Sequence, residues 1–191
     1  MKTGLFFGSF NPIHIGHLIV SNTIYEYTDV DEIWFVVSPL NPHKRQSKSL
    51  IHEFDRIDMV ERALEDQHNF KAVDIEFHLP KPNYTVNTLV HLEEKYPAHD
   101  FRIIIGEDNL VSFKKWKNYE IILENYGLIV YPRPHTRDTD LKVHHNVSFV
   151  EAPKIDISSS FIRRNVKLGK SIKYLVPDKV AEFIRDRKLY L

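Results

Sequence analysis

Short apolar runs bounded by turn residues alternate along this chain with longer stretches whose apolar positions repeat at helical spacing, and that alternation constrains the fold more than any other feature. Strand-like runs fall at Thr3 to Phe7, Ile33 to Val37, Phe101 to Ile105 and Gly127 to Tyr131, with weaker ones at Ala72 to Glu76 and Val147 to Val150. These runs read as strands buried on both faces. Helical spacing lies between them, with Phe54, Ile57, Val60 and Leu64 on one face of Glu53 to Glu65, and Val86, Leu89 and Val90 on one face of Thr85 to Tyr96. The chain closes on two further helices. One opens near Ser158, and the other follows Pro177, with Asp178 as its cap and Val180, Phe183 and Ile184 as its apolar stripe. Strand then helix, repeated, predicts an α/β fold: a Rossmann-like open parallel sheet with helices on both faces, one domain over residues 1–191, ending in C-terminal helices.

Composition removes several chemistries. The chain has no cysteine, so no disulfide framework, zinc ribbon, iron–sulfur site or thiol nucleophile can be built from it, and an intracellular, cytoplasmic protein is expected. Twenty-six Lys and Arg balance 26 Asp and Glu, which argues against a nucleic-acid coat or a membrane-surface protein. No segment approaches the length of a membrane span. The balance hides an asymmetry, because from Ser158 onward nine Lys and Arg stand against three Asp and Glu. A solvated helix face accounts for such a run by default, and an anion site at its start is the alternative.

In an open parallel sheet, ligands bind outside the carboxyl ends of the strands, near the point where strand order reverses. The residues just after the predicted strands are therefore the ones to weigh. After the first come Gly8, Ser9, Phe10, Asn11, Pro12, His14 and His17, and after the second a loop holding His43, Lys44 and Arg45. Gly106, Glu107 and Asp108 follow the Phe101 to Ile105 run. Gly8 lets backbone approach a ligand, and Pro12 stiffens the loop that carries His14 and His17 into the next helix. Two histidines three residues apart at a helix N-terminus make a seat for phosphate, since free N–H groups and the helix dipole add to the imidazoles. The bland alternative is a capping histidine beside a satisfied buried one. A zinc site is disfavoured because no third ligand stands at suitable spacing, and no metal ligand is assigned.

Ser158, Ser159 and Ser160, with Arg163 one turn in, form a second anion seat where a simple cap would need one serine. Lys44 and Arg45 can close over the same anion, although such a pair is more often an ordinary basic loop. The chain lacks GxxxxGK[ST], GxGxxG and GxSxG, which excludes P-loop, ordinary dinucleotide and serine-elbow chemistry. Nucleotidyl transfer fits what is left, because the substrate brings the nucleophile while the enzyme positions it and neutralises charge.

At these residues a resemblance enters. GSFNPIHIGH at 8–17 matches the GxFxPxHxGH signature of the adenylyl and cytidylyl transferases, and ISSSFIR at 157–163 is similar to their ISSTxIR signature. Within that superfamily the chain resembles the bacterial nicotinate-nucleotide adenylyltransferases from end to end, through VSPLNPHK at 37–44, NYTVNTL at 83–89, GEDNLVSFKKW at 106–116, YPRP at 131–134 and the closing YLVPDKVAEFIRDRKLYL. The resemblance implies a nucleotidyltransferase-type fold and an enzyme that adenylates nicotinate mononucleotide with ATP, giving deamido-NAD and pyrophosphate, with Mg2+ carried by the ATP phosphates. Its partners would be those two nucleotides, without nucleic acid or membrane, and a homo-oligomer is compatible with it.

By motif match, His14, His17, Lys44 and Arg163 would carry catalysis, His17 stabilising charge on the α-phosphoryl group. ATP would be held by Gly8, Ser9, Phe10, His14, His17, Gly106, Asp108, Ser158, Ser159 and Arg163, with Gly106 and Asp108 toward ribose. Nicotinate mononucleotide would meet Ser9, Asn11, Lys44, Thr85, Asp108, Trp116, Lys117 and Arg133, its ring framed by Thr85 and stacked on Trp116. Four positions depart from the commonest family pattern: Phe7 for glycine, Asn11 for aspartate, Glu107 for alanine and Ser160 for threonine. None removes a phosphate-binding group. Three other readings stay open on the sequence: use of nicotinamide mononucleotide instead or as well, a phosphopantetheine or glycerol-phosphate nucleotidyltransferase, and a nucleotide sensor without catalysis.

Overall fold

The computed structural model describes residues 1–39, 49–134 and 136–191. Six strands, β1 (Lys2–Gly8), β2 (Glu32–Val37), β3 (Phe70–Val73), β4 (Asp100–Gly106), β5 (Leu128–Tyr131) and β6 (Val147–Phe149), form one sheet in the order β3-β2-β1-β4-β5-β6. Every neighbouring pair is parallel. Strand order therefore reverses between β1 and β4, and the crevice above Gly8 and Gly106 is where such a sheet receives a ligand.

Seven α-helices among the described residues cover the sheet: α1 (Ile15–Tyr27), α2 (Glu53–Leu64), α3 (Thr85–Lys95), α4 (Glu107–Ser112), α5 (Tyr119–Tyr126), α6 (Ser159–Lys167) and α7 (Asp178–Asp186). Alternate residues along each strand enter opposite cores, so Phe6 and Phe35 pack with Ile24, Met59, Ile162 and Phe183 from α1, α2, α6 and α7. Leu5, Trp34 and Val36 pack with Leu89, Leu110 and Ile122 from α3, α4 and α5.

The structure departs from the sequence pattern in places with physical causes. The strand expected over Ala72 to Glu76 ends at Val73 and becomes a 3-10 turn over Ile75–His78. Val73 pairs next to Val36, one residue before β2 ends, so there is almost no partner left to extend along. Phe54 and Val90, placed on apolar faces by spacing, are exposed. Arg56, Met59, Val60 and Leu64 are the buried residues of α2 instead. Asp178 is the first helical residue of α7 rather than its cap, a position where its charge meets the positive helix end. The short α4 and α5 carry too few turns for their spacing to stand out.

The basic tail also finds partners here. Lys179 of α7 reaches Glu65 at 2.6 Å, and Arg187 reaches Asp55 of α2 at 3.2 Å. Two of the nine cations of the tail thus pair with acidic groups at α2. No helix among the described residues is long and apolar enough to cross a membrane.

Candidate active site

The first turn, between β1 and α1, is shaped by packing before any ligand is considered. Phe10 has a left-handed backbone, φ 41, and turns its ring into the core against Phe6 and Phe35. That ring lies over Gly8, where a Cβ would stand 2.7 Å from it. Glycine is needed there to let Phe10 tuck under, and Phe10 can offer a ligand only its backbone. Asn11 is buried too: its Oδ1 accepts the Tyr190 hydroxyl at 2.9 Å, and its Nδ2 donates to the carbonyl of Ser49 at 2.8 Å. Its side chain is committed to the fold.

His14 caps α1 with extended backbone and is 4% exposed. Its ring stacks on His17 at 3.7 Å, and its N–H donates to His17 Nδ1 at 3.2 Å. An accepting Nδ1 places the proton of a neutral His17 on Nε2, which makes that nitrogen a donor. Burial first, and the Arg133 guanidinium second, push His14 down to about 4, so its imidazole is neutral near pH 7. His14 Nδ1 is buried and has no hydrogen-bond partner among the described residues. Gly16 explains how the imidazole fits, because a Cβ there would stand 3.1 Å from His14 Nδ1.

The first turn of α6 docks on this loop from across the crevice. Arg163 Nη1 donates to the carbonyl of Asn11 at 2.7 Å and its Nη2 to Ser160 Oγ at 3.1 Å, while Ser159 Oγ donates to the carbonyl of Pro12 at 2.9 Å. Ser158 is the cap, its hydroxyl accepting from the N–H of Phe161. The serine run thus divides its work: one residue caps, and two face the histidine loop or its arginine.

On the other side of the reversal point, Gly106 gives way to Asp108, Tyr131 and Arg133. A Cβ at Gly106 would lie 2.4 Å from Asp108 Oδ1 and 3.2 Å from Arg133 Nε. Arg133 Nη2 donates to the Tyr131 hydroxyl at 3.0 Å, and its Nε lies 3.8 Å from Asp108. Glu107, the unusual residue of this motif, turns toward Lys142 at 2.8 Å, whose ammonium holds its carboxyl below the usual range. Its charge is answered away from the crevice.

Between these clusters lies a pocket whose walls include Gly8, Gly106, Ser38, Thr85, Trp116 and Lys117. Trp116 packs at a tilt on Phe113, and Lys117 Nζ sits over the Tyr84 ring at 4.7 Å. His14, His17 and Arg133 line a small cleft beside this pocket, the two sharing Phe6 and Tyr131, while Ser159 and Arg163 bond to the loop that carries the histidines and Asp108 faces Arg133. Lys44, with His43 and Arg45, lies outside the described residues.

Three members of this region were not singled out from the sequence. Arg56 is fully buried on α2 and donates to four carbonyls: Ser9 at 2.6 Å, Ser38 at 2.7 Å, Ile51 at 3.1 Å and Pro39 at 3.2 Å. Its spacing with Met59 and Val60 on the buried face was the available signal. Glu76 and Asn83, which line the pocket, stand at the end of the weak strand expected over Ala72 to Glu76 and at the start of the NYTVNTL segment, where spacing sets neither apart.

The family model described as cytidylyltransferase-like matches residues 5–165. A protein of Cytophaga hutchinsonii named "Probable nicotinate-nucleotide adenylyltransferase" is 57% identical over 190 residues, spanning 100% of this chain and 98% of its own. Another of that name from Christiangramia forsetii is 52% identical over 191 residues, spanning 99% and 98%. Among solved structures, the nicotinic acid mononucleotide adenylyltransferase of Plasmodium falciparum complexed with NaAD shares the fold, with a TM-score of 0.82, 24% identity, and coverage of 99% of this chain and 97% of that one.

Proposed function

The chain belongs to the nicotinate-nucleotide adenylyltransferases of the cytidylyltransferase-like family, and from that membership we propose how its residues carry the reaction. The enzyme transfers the adenylyl group of ATP to nicotinate mononucleotide in NAD biosynthesis, giving deamido-NAD and pyrophosphate. The observation that carries the residue assignments is the convergence of the His14–His17 pair with Arg163 and Ser159 on one loop, at the reversal point, beside the Trp116 pocket.

In the step itself, a phosphate oxygen of the mononucleotide forms a bond to the α-phosphorus while the bond to the β-phosphate oxygen breaks, and pyrophosphate departs with that electron pair. The protein positions the two nucleotides and neutralises charge. His17 Nε2–H donates to an α-phosphoryl oxygen as negative charge builds there. Neutral His14 supports the ring from beneath and offers its own nitrogen to phosphate. Arg163, Ser159 and the free N–H groups at the start of α6 hold the leaving phosphates, with Lys44 as a further cation. Gly8, Ser9 and the backbone of Phe10 line the nucleotide path, Asp108 meets ribose, and Arg133 lies between that ribose and the His14 ring. Thr85 and Trp116 frame the pyridine ring, and the backbone at Lys117 receives the carboxylate.

Nucleotidyl transfer is consistent with a divalent metal, and we take magnesium to arrive as part of the ATP substrate. The donors around the phosphate seat are imidazoles, hydroxyls and a guanidinium, which suit anions and not a hard dication. The nearby carboxylate of Asp108 already faces Arg133. We read residues 1–191 as one nucleotidyltransferase domain acting in the cytoplasm on these two nucleotides.

Pyrophosphate release tests the assignment, with nicotinate mononucleotide, nicotinamide mononucleotide and phosphopantetheine offered in parallel beside Mg–ATP. The nicotinate form is expected to give the highest kcat/KM. Little turnover of it would overthrow the substrate assignment.

A further inference from the structure

Glu76 is 2% exposed and Asn83 is 5% exposed, and both line the pocket beside Thr85 and Trp116. The Glu76 carboxylate accepts hydrogen bonds from the Thr88 hydroxyl at 2.9 Å and from the Ser38 hydroxyl. Among the described residues it has no Lys, Arg or His within ion-pair distance. Asn83 Nδ2 donates to the backbone carbonyl of Glu76 at 3.0 Å, which fixes the amide and leaves its buried Oδ1 without a donor. One wall of the pocket thus presents a carboxylate without a cation and an acceptor without a donor. Such groups are costly to bury unless something completes them.

Nothing among the described residues completes them, so we assign the complement to the ligand. Resting on the function proposed above, the missing group has a chemical identity, because the ring of a pyridine mononucleotide is N-ribosylated and carries a full positive charge. That charge spreads onto the ring C–H groups, which can point at oxygen acceptors. The substrate's own carboxylate cannot take this place beside Glu76, where like charges would meet. We propose that Glu76 and Asn83 form an electronegative wall that binds the cationic pyridinium ring, so that the pocket selects a charged ring over an uncharged dihydropyridine of nearly the same shape. The exocyclic carboxylate then lies toward Thr85 and Lys117, away from Glu76. Burial pushes the Glu76 carboxyl above the usual range, and an arriving ring cation favours its ionised form. Asn83 Oδ1 could instead accept from the carboxamide of a nicotinamide ring, but the acid substrate has no such donor.

The experiment uses the full chain and steady-state pyrophosphate release with four acceptors: nicotinate mononucleotide, nicotinamide mononucleotide, and each of these reduced to its 1,4-dihydropyridine. Reduction removes the ring charge and leaves the exocyclic group and the phosphate unchanged. Wild-type enzyme is expected to show KM values about tenfold or more higher for the dihydro forms, the scale of one charge contact at a partly dry wall. Glu76→Gln keeps the size and both hydroxyl contacts of the residue. It is expected to raise KM for the two pyridinium forms by one common factor, leave kcat nearly unchanged, and close most of the gap to the dihydro forms. Equal KM for charged and uncharged rings in the wild type would overturn the proposal, whether or not the variant folds. A Glu76→Gln effect confined to either the nicotinate or the nicotinamide form would also overturn it, because the wall would then read the exocyclic group. Failure of the wild type to use nicotinate mononucleotide at all is a separate result, and it removes the function on which the proposal rests.

Discussion

Arg163 Nη1 donates to the carbonyl oxygen of Asn11 at 2.7 Å, joining residues 152 positions apart and fixing the first turn of α6 against the loop that carries His14. A second bond, from Ser159 to Pro12, repeats the attachment one residue along. Arg163 therefore ties α6 to that loop beside the proposed phosphate site, and a lysine cannot reproduce its fork. Arg163→Lys is expected to lower kcat/KM for ATP by about ten- to a hundredfold, as loss of a charge-assisted contact does. Thermal unfolding should move by only a few degrees. Unchanged ATP kinetics would place the arginine in the fold alone.

His17 tests the transition-state role. Its Nδ1 accepts the N–H of His14, so the contact proposed with a phosphoryl oxygen falls to Nε2. His17→Ala is expected to lower kcat by about two to four powers of ten, with ATP affinity changed far less, the pattern of a contact made chiefly in the transition state. Single-turnover rates with saturating ATP make the measurement, and normal turnover would remove this role from His17.

His14 gives a prediction in pH. The unfolded chain takes up a proton at an ordinary histidine value, near 6.5, while the folded chain resists it until about 4. Between those values the unfolded state binds more protons, so stability falls as pH falls, and this contribution is complete above about 6.5. The expected slope from this group is about 1 kcal/mol per pH unit. His14→Asn should flatten the stability profile across that window in urea titrations at successive pH values. Arg133→Met should narrow the window from its lower end by removing the second cause of the shift. A wild-type profile already flat from 6.5 to 4 would refute the buried neutral imidazole.

How far the sequence reached can be judged residue by residue. The sheet was legible because β1, β2, β4 and β5 are apolar runs that parallel pairing buries on both faces, and the topology then placed the glycine, histidine and serine motifs at one edge. Spacing could not say that Phe54 faces water while Arg56 faces the core, because a helix pattern ranks side chains by polarity and Arg56 finds its partners in backbone carbonyls. Glu76 and Asn83 were hidden for a related reason: Glu76 is partnered by the Ser38 and Thr88 hydroxyls and Asn83 by the Glu76 main chain, pairings that leave no periodic trace. The basic tail was visible as a charge count, but its pairing of Lys179 and Arg187 with Glu65 and Asp55 required the packing of α7 on α2.

Arg56 holds the end of β2, the Ser9 turn and Ile51 together through four carbonyls. Removing the guanidinium leaves those acceptors in a site that excludes water. Arg56→Met is expected to destabilise the protein by roughly 3 kcal/mol. For a chain of this length that is a fall in Tm on the order of 10 °C. Arg56→Lys should recover little, since an ammonium cannot reach four carbonyls arranged around a planar fork. Calorimetry of the three proteins at neutral pH provides the comparison, and a Met variant as stable as wild type would contradict the role.

Gly16 separates stability from activity more cleanly than any other position in the site. It lies in the first turn of α1, where alanine has better helix propensity by about 1 kcal/mol, so stability by itself favours the substitution. The same Cβ would stand 3.1 Å from His14 Nδ1, however, and the His14 ring is stacked on His17. A ring that yields to this Cβ shifts against its stacked partner, which would displace the donor proposed for the α-phosphoryl group. Gly16→Ala should therefore leave Tm unchanged or slightly higher while kcat falls by about tenfold or more, in line with the sensitivity of positioned donors to small displacements. A variant that gained stability and kept full kcat would show that the imidazole pair tolerates the shift, and that its geometry in this structure is not what sets the rate.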